Sequence, residues 1–197
     1  MINGVYRALP SALVPALAIL ASLVMVLQPA AAGPYLDYAT RLTQSPPDGA
    51  QYRPDLEEEL AGLANAYRSQ KGKPPLQTSD DFLIAARAHA ADMMLNDFVG
   101  HRASTGHSFD SRMRVFVGDI TRYPSLGENA ARDTQNTPVD SRKARALFQQ
   151  WVKSSSHAKA LRRIDYAFVS TGVIQRGDSI WAVQIFWSPP RQKGIFQ

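Results

Sequence analysis

Residues 168–187 read Phe-Val-Ser-Thr-Gly-Val-Ile-Gln-Arg-Gly-Asp-Ser-Ile-Trp-Ala-Val-Gln-Ile-Phe-Trp. Phe168 to Gln175 is rich in β-branched and aromatic residues, and Ile180 to Trp187 repeats that character. Between them, Arg176-Gly177-Asp178-Ser179 is a turn signal. Two such runs joined by a short Gly-containing link form a β-hairpin, because branched and aromatic side chains pack well on a pleated surface. Pro189-Pro190 then removes two ladder donors and ends the second strand. Helical patterns precede this hairpin, so the natural architecture is an antiparallel sheet covered by helices, in the α+β class.

The helical patterns are explicit. Leu56, Leu60, Leu63, Ala64 and Tyr67 form one apolar stripe. Pro54 and Asp55 suit its start, and Gly72 with Pro74-Pro75 stops it. A second helix is expected from Thr78 or Ser79 to about Asn96, with Leu83, Ala86, Ala90, Met93 and Met94 inward. Phe98 to Phe109 reads as loop, and Asp110 as the cap of a short helix ending before Gly118. Residues 119–137 read as irregular. Thr137-Pro138 opens a further helix to about Lys153, whose stripe is Ala144, Leu147, Phe148 and Trp151. Ser154-Ser155-Ser156 breaks it, and a short helix carries His157 to about Arg163.

Residues 1–32 have the form of a secretory signal: Arg7, an apolar run from Ala12 to Leu27, then small residues ending at Ala32. The rival is a retained anchor, for which the run is short and lacks a basic stop signal. Residues 33–54 hold four prolines and read as a linker or extended arm, with Tyr35, Leu36, Tyr38 and Leu42 available to dock. The domain proper is expected over residues 55–190, with a tail at 191–197.

The chain has 197 residues, 45% apolar and 20% charged, enough for one domain with a proper core. Its formal net charge is +5. The basic residues are mixed with acids and form no run, which points away from nucleic acid. There is no cysteine. That excludes disulfides, thiolate metal sites and a cysteine nucleophile.

Gly127-Glu128-Asn129 lies between His101 and His157 in the chain. If the fold brings them together, two neutral imidazoles offer ligands to Zn²⁺ or another divalent metal. Glu128 is then a third ligand, an acceptor that orients an imidazole, or a general base on water. The alternative is a buried acceptor that ties loops together. Ser154 and Ser156 lie beside His157 but lack a nucleophile elbow, so a helix-capping role is expected for them. His107 reads as a solvated loop residue, His89 as a packing or surface residue, and Asn129 as a brace for the loop after Glu128. Trp151, Trp181, Phe186 and Trp187 read as core.

The order of these signals resembles a known family. Asn65, Tyr67 and Arg68 precede Pro75-Leu76. Leu83 and Ala86 lead through His89-Ala90 and Asp92-Met93 to Phe98 and His101. Gly127-Glu128-Asn129-Ala130 follows, then Trp151, Ser154, Ser156-His157 and Trp181-Ala182-Val183-Gln184-Ile185-Phe186. This closely resembles the CAP superfamily of cysteine-rich secretory, antigen 5 and pathogenesis-related proteins, in its cysteine-free bacterial SCP-like extracellular branch. The resemblance covers about residues 55–187. It implies an α-β-α sandwich, with a small antiparallel sheet between helical layers and a cleft on one side. It also implies a cleft tetrad of two histidines and two acids, of which His101, Glu128 and His157 match three. Ser154 stands where the second acid belongs.

The expectation is therefore a secreted or periplasmic, single and monomeric binding module for a lipid, a glycan or an envelope protein. A membrane enters only if the N-terminal segment is retained. Its cleft comprises His101, Glu128, Asn129, Ser154 and His157, with His101 and His157 as the metal pair. Two alternatives stay open: a metal-dependent hydrolase using Glu128 as its catalytic group, and a structural domain with a vestigial site.

Overall fold

The structure is a computed structural model and describes Met1 and residues 33–190. The chain divides into two units, residues 1–31 and 32–197. The expected signal segment and the tail at 191–197 lie outside the described residues. The second unit runs α1 (Pro34–Gln44), β1 (Ala50–Tyr52), α2 (Pro54–Gln70), β2 (Gln77–Thr78) and α3 (Leu83–Leu95). It continues with α4 (Phe109–Val117), a 3-10 turn at Ile120–Arg122, β3 (Leu126–Asp133), α5 (Ser141–Lys153), α6 (Ser155–Leu161), β4 (Phe168–Arg176) and β5 (Ser179–Trp187).

The hairpin is the centre of the sheet. β4 pairs antiparallel with β5 from Phe168↔Trp187 to Arg176↔Ser179. Gly177, at φ 55°, takes the left-handed turn conformation that side chains other than glycine rarely adopt. The strand order is β1-β4-β5-β3, and β2 adds a short parallel pairing to β4. β3 is thus an edge strand, paired to β5 over Leu126↔Trp187 to Asp133↔Ile180.

Helices cover both faces. Leu56, Leu60 and Ala64 of α2 pack with Leu147, Phe148 and Trp151 of α5 and Leu161 of α6 on Val169, Val173, Ala182 and Phe186. On the other face, Ala85, Ala86, Ala90, Met93 and Met94 of α3 and Met113 of α4 pack on Ile174, Trp181, Val183, Ile185 and Trp187. This is the expected α-β-α sandwich. The small residues of α3 let its backbone approach the sheet. At Gly172 a Cβ would lie 2.5 Å from the Ala86 carbonyl carbon and 2.7 Å from Arg87 Cα, so that strand position must be glycine.

Five local expectations are corrected. The supposed arm contains α1, which buries Tyr35, Ala39 and Leu42 against the α3 layer. Its prolines flank the helix: Pro34 sits in the first turn, where no N–H is needed, and Pro46-Pro47 follow its end. The second helix starts at Leu83, because Gln77 and Thr78 are claimed by β4 as β2. The region around Glu128 is not irregular but strand β3, held by β5 along its full length. The cap of α5 is Asp140, whose carboxylate accepts from the Arg142 and Lys143 N–H groups, and not Thr137. In α4 the cap is likewise Ser108, with Asp110 in the first turn.

Candidate functional site

β3 carries the site because its residues alternate between faces. Ala130 packs with the α3 layer and Ala131 with the α2–α5 layer. Glu128 therefore points to the α3–α4 side and Asn129 to the α5–α6 side. The triplet is a two-sided clasp. Asn129 Nδ2 donates to the His157 carbonyl at 3.4 Å, which ties α6 to the sheet, and Asp133 meets Lys143 Nζ of α5 at 3.3 Å. Asn129 thus braces a helix and not a loop. Gly127 is needed because Tyr166 lies over it: a Cβ would be 3.0 Å from Cζ of that ring and would overlap its hydroxyl.

On the other side, Glu128 is nearly inaccessible, its side chain 1% exposed. His101 Nδ1 lies 3.0 Å from Oε1. Arg112 Nη2 donates to Oε1 at 2.9 Å and Oε2 at 2.8 Å, and to the His101 carbonyl at 3.2 Å. His89 Nε2 sits 3.9 Å from Oε1 and 2.7 Å from the Gly100 carbonyl. Burial alone would raise the Glu128 carboxyl pKa. The charge of Arg112, the His101 hydrogen bond and His89 outweigh it and hold the pKa below its ordinary value. Glu128 is thus ionised, paired with Arg112 and hydrogen-bonded to His101.

The two histidines meet around the edge of β3. His101 arrives on the loop after α3 and His157 on α6, with ring centroids 6.2 Å apart at 68°. The hydrogen bond to Glu128 raises the His101 pKa against the opposing effect of burial. Partial burial, then repulsion from His101, lowers that of His157. A carboxylate at Nδ1 makes that nitrogen the donor, which leaves Nε2 of a neutral His101 with its lone pair free. His157 and Ser154 line a neighbouring cleft of about 350 Å³ with Val99, Ala130, Gln150 and Trp151.

Several residues bear on the site without having been singled out for it. Arg112 is wholly buried, as is His89, expected as a packing or surface residue. Asp92 of α3 is buried too, and accepts from Tyr38 Oη of α1 at 2.8 Å and from Ser104 N at 2.8 Å. It anchors the loop bearing His101 to two helices. Tyr35 of α1 faces Arg112, and burial pushes its pKa up to about 12. His107 packs on Tyr35 at 4.9 Å and does not join the pair. Ser154 Oγ lies 3.2 Å from Ser156 Oγ, and the Ser154 side chain makes no capping bond to α6. Trp151, Trp181, Phe186 and Trp187 are core.

The donor set fits a metal only in part. A metal at about 2.1 Å from one nitrogen of each ring would place the centroids roughly 5–6 Å apart, close to the separation seen. Among the described residues no cluster of three His, Cys, Asp or Glu side chains is arranged to hold an ion. The ring separation alone suits two imidazole ligands, and Glu128 lies behind His101 as its hydrogen-bond acceptor.

The comparisons with known proteins follow the same outline. The family described as "CAP: Cysteine-rich secretory protein family" matches residues 62–186. Among solved structures, an extracellular SCP-domain protein from Bacillus anthracis aligns at TM-score 0.55 and 21% identity, over 68% of this chain and 41% of its own. An outer surface protein of Borrelia burgdorferi aligns at TM-score 0.59 and 15% identity, over 71% and 98%. A cysteine-rich secretory protein from Staphylococcus aureus aligns at 0.50 and 18%, over 68% and 38%. The chain thus spans about two fifths of the length of the Bacillus and Staphylococcus proteins. No curated protein matches. With the family match covering well over half of its residues and the sandwich in place, the chain belongs to the CAP, or cysteine-rich secretory protein, family.

Proposed function

We propose that this protein is a secreted or envelope-exposed interaction module. It recognises a lipid, a glycan or an envelope protein at the cleft beside His101 and His157. The observation that carries this reading is the engagement of Glu128: both oxygens are held by Arg112, one also by His101, and the side chain is inaccessible. A general base must reach a water with a free lone pair and a pKa near the working pH. Glu128 is inaccessible to water and its carboxyl pKa is held below the ordinary value, so it positions His101 and the hydrolase reading is the weaker one. What remains at the surface is a pair of imidazoles beside a cleft, which suits recognition. The descriptions of the Bacillus and Borrelia neighbours as extracellular and outer-surface proteins support an exported location.

A divalent metal such as Zn²⁺ is part of the proposal. His101 and His157 would hold it, and it would supply a positive anchor for an anionic or carbonyl-bearing ligand. Co-sedimentation tests the reading, with phosphatidylglycerol vesicles and with insoluble peptidoglycan, each with and without Zn²⁺. Retention on one of them, lost in the His101→Ala/His157→Ala variant, is expected. Equal retention by that variant, or release of cleaved glycan or peptide by the intact protein, would contradict it.

A further inference from the structure

The opposite edge of the sheet holds a second polar site. There β4 is bordered by two short strands that leave a gap between them. β1 pairs as far as Tyr52 opposite Ile174, and β2 as far as Thr78 opposite Val169. Beyond those ends, Arg53 N–H donates to the Val173 carbonyl at 3.0 Å and Ser79 N–H to the Val169 carbonyl at 3.0 Å. Backbone groups of alternate residues in an antiparallel strand point to the same edge. Val169, Thr171 and Val173 therefore all face the gap. The Val173 N–H is taken by Glu57 Oε1 at 3.1 Å. The Thr171 N–H and C=O have no partner among the described residues.

Thr171 lines a cavity of about 560 Å³ together with Glu57, Glu58, Asn65, Asp80 and Arg87. That size is in the range of small-ligand pockets. The floor of the cavity therefore presents one strand-edge N–H and C=O pair, the arrangement to which an amide bonds. Its walls select by charge. Glu57 is spent on Arg87, at 2.8 and 2.6 Å. Glu58 and Asp80 are exposed and, among the described residues, neither carboxylate has a hydrogen-bonded or ion-paired partner. Three acids against one base make this cavity negative on a chain whose formal net charge is +5. In an adjoining groove Asp55 is paired with Arg53 and Glu59 with Arg145, which leaves Glu58 as its uncompensated acid.

We propose that this notch binds a primary ammonium next to a secondary amide, the chemistry of a short peptide. The amide pairs with the Thr171 backbone, and the ammonium sits by Glu58 and Asp80. The ammonium comes from a lysine side chain or from a peptide amino terminus. The notch shares no residue with the His101–His157 cleft, so loss of either leaves the other testable.

The experiment follows the Thr171 backbone amide resonance of the full chain by NMR. The probes are acetyl-Ala-Lys-Ala-amide, trialanine with a free amino terminus, and acetyl-Ala-Glu-Ala-amide. A Thr171 shift with the lysine peptide alone assigns the ammonium to a side chain, and a shift with trialanine alone assigns it to an amino terminus. Either supports the notch, as does a shift with both. The Glu58→Gln/Asp80→Asn variant should weaken binding by about tenfold or more. Both positions are exposed, and an unchanged melting temperature checks the variant's fold. The proposal is overturned if neither cationic peptide moves Thr171 at millimolar concentration. It also fails if the acidic peptide binds as well, or if the variant binds as tightly as the parent.

Discussion

Glu128 gathers residues from three other segments, and the way it does so ranks the possible chemistries. A buried carboxylate is costly unless it is paired and hydrogen-bonded. Here Arg112 provides the pairing from α4, His101 the hydrogen bond from the loop after α3, and His89 a nearby ring from α3. Arg112→Met should therefore cost about 3–5 kcal/mol in urea unfolding, because it strands a buried charge. Combining it with Glu128→Gln should recover part of that loss, since the charge then goes too. A double variant less stable than Arg112→Met alone would refute this account of the pair. His101, Glu128 and His157 were visible in the sequence as a spaced set of ionisable groups. Arg112 and Asp92 carry no such mark in the sequence, because charged side chains are usually solvated and nothing in their neighbours shows these two as buried. The unremarkable Arg112 turns out to decide the protonation state of Glu128.

Elements were legible where their apolar period is strong and lost where tertiary contacts override it. α2 and the β4–β5 hairpin match their patterns closely. β3 escaped because Leu-Gly-Glu-Asn-Ala-Ala-Arg-Asp has little β propensity; it is a strand because β5 and two helical layers hold it. α1 escaped because its flanking prolines suggest an arm. Two predictions belong to this scale. Gly172→Ala should force α3 off β4 and cost about 1–3 kcal/mol or more, read as a fall in the denaturation midpoint. A neutral effect would mean that the close approach of Arg87 and Ala86 is relaxed in solution. Tyr35→Ala should cost about 3–5 kcal/mol, because α1 seals the face of α4 that carries Arg112. If that variant keeps full stability, α1 is not part of the folded unit.

Across the whole molecule, the buried ionisable groups set a pH dependence with a definite sign. The folded Glu128 pKa is depressed, so its contribution is present above the ordinary carboxyl value of 4.5 and is lost as pH falls through the folded value. Burial, with Arg112 against Glu128, also depresses the His89 pKa. Below 6.5 the unfolded chain takes up a proton that folded His89 resists, so stability falls there as well. His101 acts in the opposite sense: its raised pKa adds stability at low pH that is lost as pH rises through the folded value. Half exposure to solvent makes that term the smaller one. The melting temperature should therefore decline from about pH 6.5 downward and drop further through the carboxylate range. A melting temperature that is flat from pH 7 to 4 would contradict the buried assignments of Glu128 and His89.

The convergence of His101, Glu128 and His157 at one sheet edge is measured most directly by an NMR titration of the imidazole resonances. His101 should titrate above the ordinary histidine value of 6.5 and His157 below it. In the Glu128→Gln variant His101 should fall towards or below 6.5, since the charge that holds its proton is gone. Two histidines that titrate together near 6.5, unmoved by the loss of Glu128, would show that these side chains do not form one site.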